Sequence, residues 1–161
     1  MTVRFKSMLA AGAVALAACS PGTVQGKPIK APARAAAEAR HPVSGLKVVP
    51  LVIGGHRFRV EVAATPAEQE RGLMFRKEMG PDEGMIFPMD PPRQAYFWMR
   101  NTVMPLDIIF IGADGKVLNV VNARPFDETP LPSAGKAALV LEINVGRAAR
   151  LGIGPGTGVK W

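Results

Sequence analysis

The residues best equipped for chemistry in this chain sit inside apolar runs, where polar groups are costly. Arg100, Asn101 and Thr102 follow Trp98-Met99 directly, Asp107 interrupts Leu106-Ile108-Ile109-Phe110, and Glu142 and Asn144 interrupt the run from Leu139 to Val145. Buried acids are rare unless paired, because an uncompensated charge is strongly destabilised away from water. Arg100 is a natural counter-ion for Asp107 or Glu142. Two readings follow. In the first, these side chains form an ion-pair and amide network that fixes a strand crossover, with Asn101 and Thr102 satisfying the backbone of a bend. In the second, they wall a pocket: an arginine and amide clamp for an anionic or sugar-like ligand, backed by Phe97 and Trp98. A third use is catalytic, since Asp107 and Glu142 held about 5–10 Å apart across a cleft would suit hydrolysis of a glycosidic bond.

Other chemistries are poorly supplied. From Val43 onward the chain has no cysteine, two serines (Ser44 and Ser133) and one histidine, His56. A serine triad would have to use His56, which stands at a strand start beside a Gly-Gly turn and reads as an exposed hairpin residue. One histidine cannot supply a zinc or non-haem iron site, and the acids Asp107, Asp127, Glu128 and Glu142 lack the spacing of a calcium loop. No metal and no cofactor are therefore expected. Six methionines (Met74, Met79, Met85, Met89, Met99 and Met104) lie within a short span and could in principle hold Cu(I). Met85, Met99 and Met104 stand among Phe, Trp and Ile, however, as gap-filling core residues would.

The elements that must position these residues are mostly strands. Leu46 to Ile53 is apolar, and Gly54-Gly55 signals a hairpin. His56 to Ala63 alternates, with Phe58, Val60 and Val62 on one face and Arg57, Arg59 and Glu61 on a solvated face. Thr65-Pro66-Ala67-Glu68 is a capping box with proline at the first helical position, and Gly72 stops that helix near Arg71. Gly84 to Met89 reads as a strand, Asp90-Pro91-Pro92 as a turn, and Ala95 to Arg100 as a second strand. A bend over Asn101–Pro105 leads into a buried strand, Leu106 to Ile111, and Asp114-Gly115 turns the chain into Val117 to Ala123. Arg124 to Lys136 reads as a proline-rich loop before a strand over Ala138–Asn144, a short helix near Arg147 and a terminal strand at Val159. Short strands punctuated by Gly and Pro predict a mostly β domain, a sandwich or squashed barrel with one or two small helices.

Ahead of this domain, assigned to residues 43–161, lie two other compositions. Residues 1–19 have a short basic start (Arg4, Lys6) and a small apolar run from Met8 to Ala18, too short to span a bilayer, which needs about 20 residues. The run ends in Leu16-Ala17-Ala18-Cys19, which resembles the lipobox of a bacterial lipoprotein, and Cys19 is the only cysteine of the chain. Residues 20–42 form a Pro/Ala-rich linker whose end-to-end distance as a flexible coil is roughly 25 to 30 Å. The formal charge of +7 resides mainly here: +2 in the signal, +3 in the linker and only +2 in the domain. A basic tether suits an anionic lipid surface. Nucleic-acid binding is not expected of a domain so nearly neutral.

Longer motifs carry a family resemblance. GLMFR at 72–76, GMIF at 84–87, FWMRNTVMPLDIIFI at 97–111, the Asp-Gly turn at 114–115 and VLEINVG at 140–146 occur in the order found in the domain of unknown function 192 family. The resemblance spans about residues 46–161 and implies a compact, mostly β domain of the kind often exported or lipid-anchored. Two positions depart from that pattern: Arg100 stands where lysine is usual, and GPGTGVKW lacks a common Gly-Asp pair. The combined expectation is an exported lipoprotein, lipid-anchored through Cys19 on the periplasmic side of the outer membrane. Its domain is expected to act as a non-catalytic binding or accessory module for a small polar ligand or an envelope partner.

Overall fold

The computed structural model describes residues 39–161; the expected signal segment, Cys19 and the expected linker as far as residue 38 lie outside them. The chain forms β1 (Val48–Ile53), β2 (His56–Val62), α1 (Pro66–Arg71), β3 (Glu83–Phe97), β4 (Leu106–Gly112), β5 (Val117–Ala123), β6 (Leu131–Asn144), α2 (Arg147–Arg150) and β7 (Val159–Lys160). The mostly β architecture with two short helices is as expected, and its strands belong to one curled, half-barrel sheet. The strand order is β5-β4-β6-β3-β2-β1-β7. All pairings are antiparallel except β2 with β3, whose connection runs through α1 and the loop after it. The C-terminal segment pairs with β1 through β7 and also bonds the turn before β5, where Val117 N–H donates to Thr157 and Val159 N–H to Gly115. One short stretch thus ties the two ends of the sheet, which is what holds the curl.

Local chemistry explains most boundaries. Thr65 caps α1 by accepting from Glu68 N–H, and the Glu68 side chain returns to the Thr65 N–H at 2.8 Å. That hydrogen bond holds the Glu68 carboxyl below its ordinary range. Gln69 then pins α1 to the sheet by donating to the carbonyls of Ala63 and Pro88.

Two expectations fail for the same reason. Asp90-Pro91-Pro92 does not end a strand: β3 runs through it, with a cis Asp90–Pro91 bond and a register shift between Pro88 and Arg93. β6 likewise begins at Leu131, inside the supposed proline-rich loop, and pairs Pro132 with Tyr96. Proline is tolerated where the ladder lapses at a bulge, so neither segment has to break.

The sheet buries both faces. One cluster joins Leu51, Phe58, Val60, Ile86, Ile109, Leu141 and Ile143, and α2 and Ile153 close over it. The other joins Met85, Phe87, Leu106, Ile108, Phe110 and Val140 beneath Leu73, Met99 and Met104. The core reading of Met85, Met99 and Met104 therefore holds, since all three are buried. Among the described residues, no helix is long and apolar enough to cross a membrane.

Candidate functional site

Register decides which polar residues can meet. Ile108 of β4 lies opposite Glu142 of β6, so Asp107 is displaced by one position and points to the other face of the sheet. Asp107 is fully buried on the α2 side. Its Oδ1 accepts from the Asn122 amide and from Gly146 N–H at 3.0 Å, and its Oδ2 accepts from Ala148 N–H at 2.8 Å. The N-cap of α2 is Gly146, which has no side chain, so Asp107 supplies the cap from a neighbouring strand. The proposed acid/base pair of Asp107 and Glu142 is therefore not formed: the two carboxyl groups are separated by the sheet itself.

Arg100 joins neither acid. It pairs with Glu128 at 3.0 Å and stacks over the Trp98 ring at 4.6 Å. Thr102 Oγ1 donates to the Arg100 carbonyl at 3.2 Å, which is the bend-satisfying role expected of it. Asn101 adopts φ 53° and sets its amide beside Met74 Sδ. Asn144 donates to the carbonyls of Met79 and Gly80, holding the loop that leads into β3. Among the proposed residues, Asp107 and Asn144 thus serve the fold, whereas Trp98, Arg100, Thr102 and Glu142 come together around a cavity.

That cavity has a volume of about 390 Å³, within the range of small-molecule sites. Its floor is buried and apolar, formed by Leu73, Phe87 and Met89, with Glu142 among them. Phe97 backs it, wedged edge-on between Phe87 and Phe110 at ring distances of 5.0 and 5.9 Å. The rim is exposed and carries Glu70, Arg71, Arg93, Tyr96, Trp98 and Arg100. Trp98 is 47 % exposed although its neighbour Met99 is fully buried.

Glu142 is the anomaly of the site. It is 5 % exposed, and its carboxyl has no hydrogen-bond or ion-pair partner among the described residues. Burial in this apolar floor pushes its carboxyl up to about 8, so near neutral pH it holds a proton and can donate as well as accept. Gly84 makes room for this stretch of β6: a Cβ there would come within 2.6 Å of the Glu142 carbonyl oxygen.

The loops around the cavity are held in an unusual backbone geometry. Among the described residues, three non-glycine positions have positive φ: Phe75 (62°), Asn101 (53°) and Phe126 (61°). They are tied together, since Phe75 N–H donates to Asn101 O at 2.9 Å and Phe126 N–H to Thr102 O at 3.2 Å. Residues in this region cost about 1–3 kcal/mol each and persist where surrounding structure over-determines them, frequently at binding sites.

A second polar centre escapes a reading of alternation. Glu61 is buried, not solvated. Arg76 pairs with it at 3.0 Å, His41 Nε2 stands 3.7 Å from it, and Ser44 Oγ donates to it. His41, assigned to the linker on composition, therefore belongs to the folded part, where Arg40 also bridges to Lys47. Ser44 bonds the acid directly while His41 Nδ1 faces the backbone N–H groups of Val43 and Ser44, so this is a clamp on the incoming chain and not a serine–histidine relay. His56 lies exposed in the β1–β2 hairpin. No group of three or more His, Cys, Asp or Glu suited to a metal ion occurs among the described residues.

Of the cavity lining, Trp98, Arg100, Thr102 and Glu142 were named from the sequence, whereas Leu73, Met89, Arg71 and Arg93 were not. The first two look like ordinary core residues and the arginines like ordinary surface residues. Only the crossover that lays α1 and its loop over β3 and β6 brings them to one place.

Comparisons with known proteins agree with this architecture. Residues 49–161 match the model of the DUF192 family, described as an uncharacterized ACR. A protein of unknown function from Novosphingobium aromaticivorans DSM 12444 has a crystal structure 60 % identical in sequence, covering 82 % of this chain and 98 % of that one, with a TM-score of 0.75. A protein from Sinorhizobium meliloti 1021, named as a candidate transcription regulator, is 39 % identical, covering 70 % of this chain and 91 % of that one, with a TM-score of 0.66. No curated protein matches.

Proposed function

This chain belongs to the domain of unknown function 192 family, and we propose that it is an exported lipoprotein whose domain binds a small molecule between Trp98 and Glu142. The observation that carries the binding reading is Glu142: an unpartnered carboxyl on the otherwise apolar floor of the cavity. A ligand that accepts its proton in a hydrogen bond supplies the partner that the protein itself does not. The ligand has an apolar body that fits Leu73, Phe87 and Met89 and lies against Trp98, with a carbonyl or similar acceptor at its buried end. Binding is favoured over turnover because Asp107, the acid that would complete a hydrolytic pair, lies across the sheet and is occupied by α2. Nucleic-acid recognition, suggested by the naming of the Sinorhizobium relative, has little support in a domain whose net charge is +2.

The test uses prodan, an uncharged naphthalene dye with a ketone acceptor, on the full chain in detergent. Binding with blue-shifted emission is expected. Glu142→Leu should weaken it about tenfold, while Glu142→Gln, which keeps a donor, should retain most of the affinity. Affinity should also fall as pH rises through about 8, where Glu142 loses its proton. Equal affinity in the wild type, Glu142→Leu and Trp98→Ala would refute the site.

The lipoprotein reading rests on Cys19 and its neighbours. Cells fed radioactive palmitate should label the wild-type chain and leave Cys19→Ser unlabelled; label retained in Cys19→Ser would overturn it.

A further inference from the structure

We propose that the cavity selects an amphipathic anion: an apolar body inside, with a carboxylate, sulfonate or phosphate ester held at the rim by Arg71 and Arg93. This rests on the binding reading above and adds the charge and the orientation of the ligand. The rim carries three arginines with different commitments. Arg100 is neutralised by Glu128 at 3.0 Å and packed on Trp98, so it acts as wall. Arg71, in the last turn of α1, and Arg93, on β3 opposite Ala137, are exposed, and their guanidinium groups have no hydrogen-bond or ion-pair partner among the described residues. Arg76, a few residues on in the same loop, shows the contrast, because its guanidinium is used up on buried Glu61.

The acids of the lining do not cancel these cations. Glu142 is protonated at neutral pH, and Glu70 alone opposes Arg71 and Arg93. Arginine forks match planar oxyanions in two-point hydrogen bonds, and an apolar wall beside them strengthens the attraction by excluding water. The two ends of the cavity therefore make opposite demands. A second negative charge pushed to the floor would meet apolar side chains and an acid; a neutral acceptor there would meet a donor. The anionic group is consequently fixed at the mouth and the uncharged end at Glu142.

Two dyes that differ by one group separate the claims: 8-anilinonaphthalene-1-sulfonate and its uncharged parent N-phenyl-1-naphthylamine, each titrated into the full chain in detergent at low salt. The sulfonate is expected to bind about tenfold more tightly than the parent, the margin of one charge-assisted contact. The margin should shrink with added salt. It should also vanish in the double variant Arg71→Gln, Arg93→Gln while the parent dye binds that variant as before. A sulfonate that binds no better than its parent, or a preference that survives the double variant, overturns the charge selection and leaves the cavity reading in place. Loss of neither dye in Trp98→Ala overturns both.

Discussion

A Glu142→Gln protein is expected to gain on the wild type as pH rises, by on the order of 4 kcal/mol between about pH 4.5 and about pH 8. The sign follows from linkage. In the unfolded chain Glu142 gives up its proton near the ordinary glutamate value of 4.5, whereas burial holds the proton in the folded state to about 8. The folded state is thus favoured at acid pH, where both states are protonated. The contribution is lost progressively as pH rises from the unfolded value, and its loss is complete above the folded one. Glutamine cannot ionise, so the variant escapes this loss. Urea unfolding of both proteins across pH 4 to 9 measures it, and a difference that does not change with pH would show that Glu142 is not held protonated. A buried acid that destabilises the domain at neutral pH is the kind of residue kept for function, since activity and stability commonly pull apart at binding sites.

The sequence carried those features whose causes are local. Thr65, Pro66 and Glu68 specify the start of α1 within four residues, and the structure realises the capping box atom for atom. Asp114-Gly115 turns β4 into β5 as its dipeptide requires. What could not be read depends on long-range pairing. Whether Asp107 and Glu142 share a face is settled by register, and the pairing of Ile108 with Glu142 sets them apart. Glu61 follows the alternation that marks a solvated face, yet Arg76 and the segment from His41 to Ser44 cover it. The β3 strand passes through two prolines because its ladder with β6 lapses between Pro88 and Arg93. The cavity has the same origin. Its floor comes from β3, β6 and Leu73 of the loop after α1, and its rim from α1, Arg93 and the Tyr96–Arg100 stretch, and nothing in any one segment announces the others.

Asp107→Ala is expected to cost about 4 kcal/mol of stability, more than any single change at the cavity rim. Asp107 is fully buried and accepts from three donors: the Asn122 amide and the N–H groups of Gly146 and Ala148. Alanine leaves the buried Ala148 N–H and the partly buried Gly146 N–H without a partner, at about 1–3 kcal/mol apiece before relaxation, while the amide of exposed Asn122 turns to water. The substitution also removes the side-chain cap that α2, whose own N-cap is Gly146, receives from β4. Asp107→Asn separates the contributions. The amide keeps one acceptor oxygen for Gly146 or Asn122 but turns an N–H toward Ala148, so a loss of about 2 kcal/mol is expected. Both losses should appear as a lowered urea midpoint with an unchanged slope. Folded Asp107→Asn protein should bind prodan as the wild type does, because the carboxyl faces away from the cavity across the sheet. A variant of normal stability that no longer binds would place Asp107 at the ligand after all, and would reinstate the carboxyl pair that the register of β4 and β6 excludes.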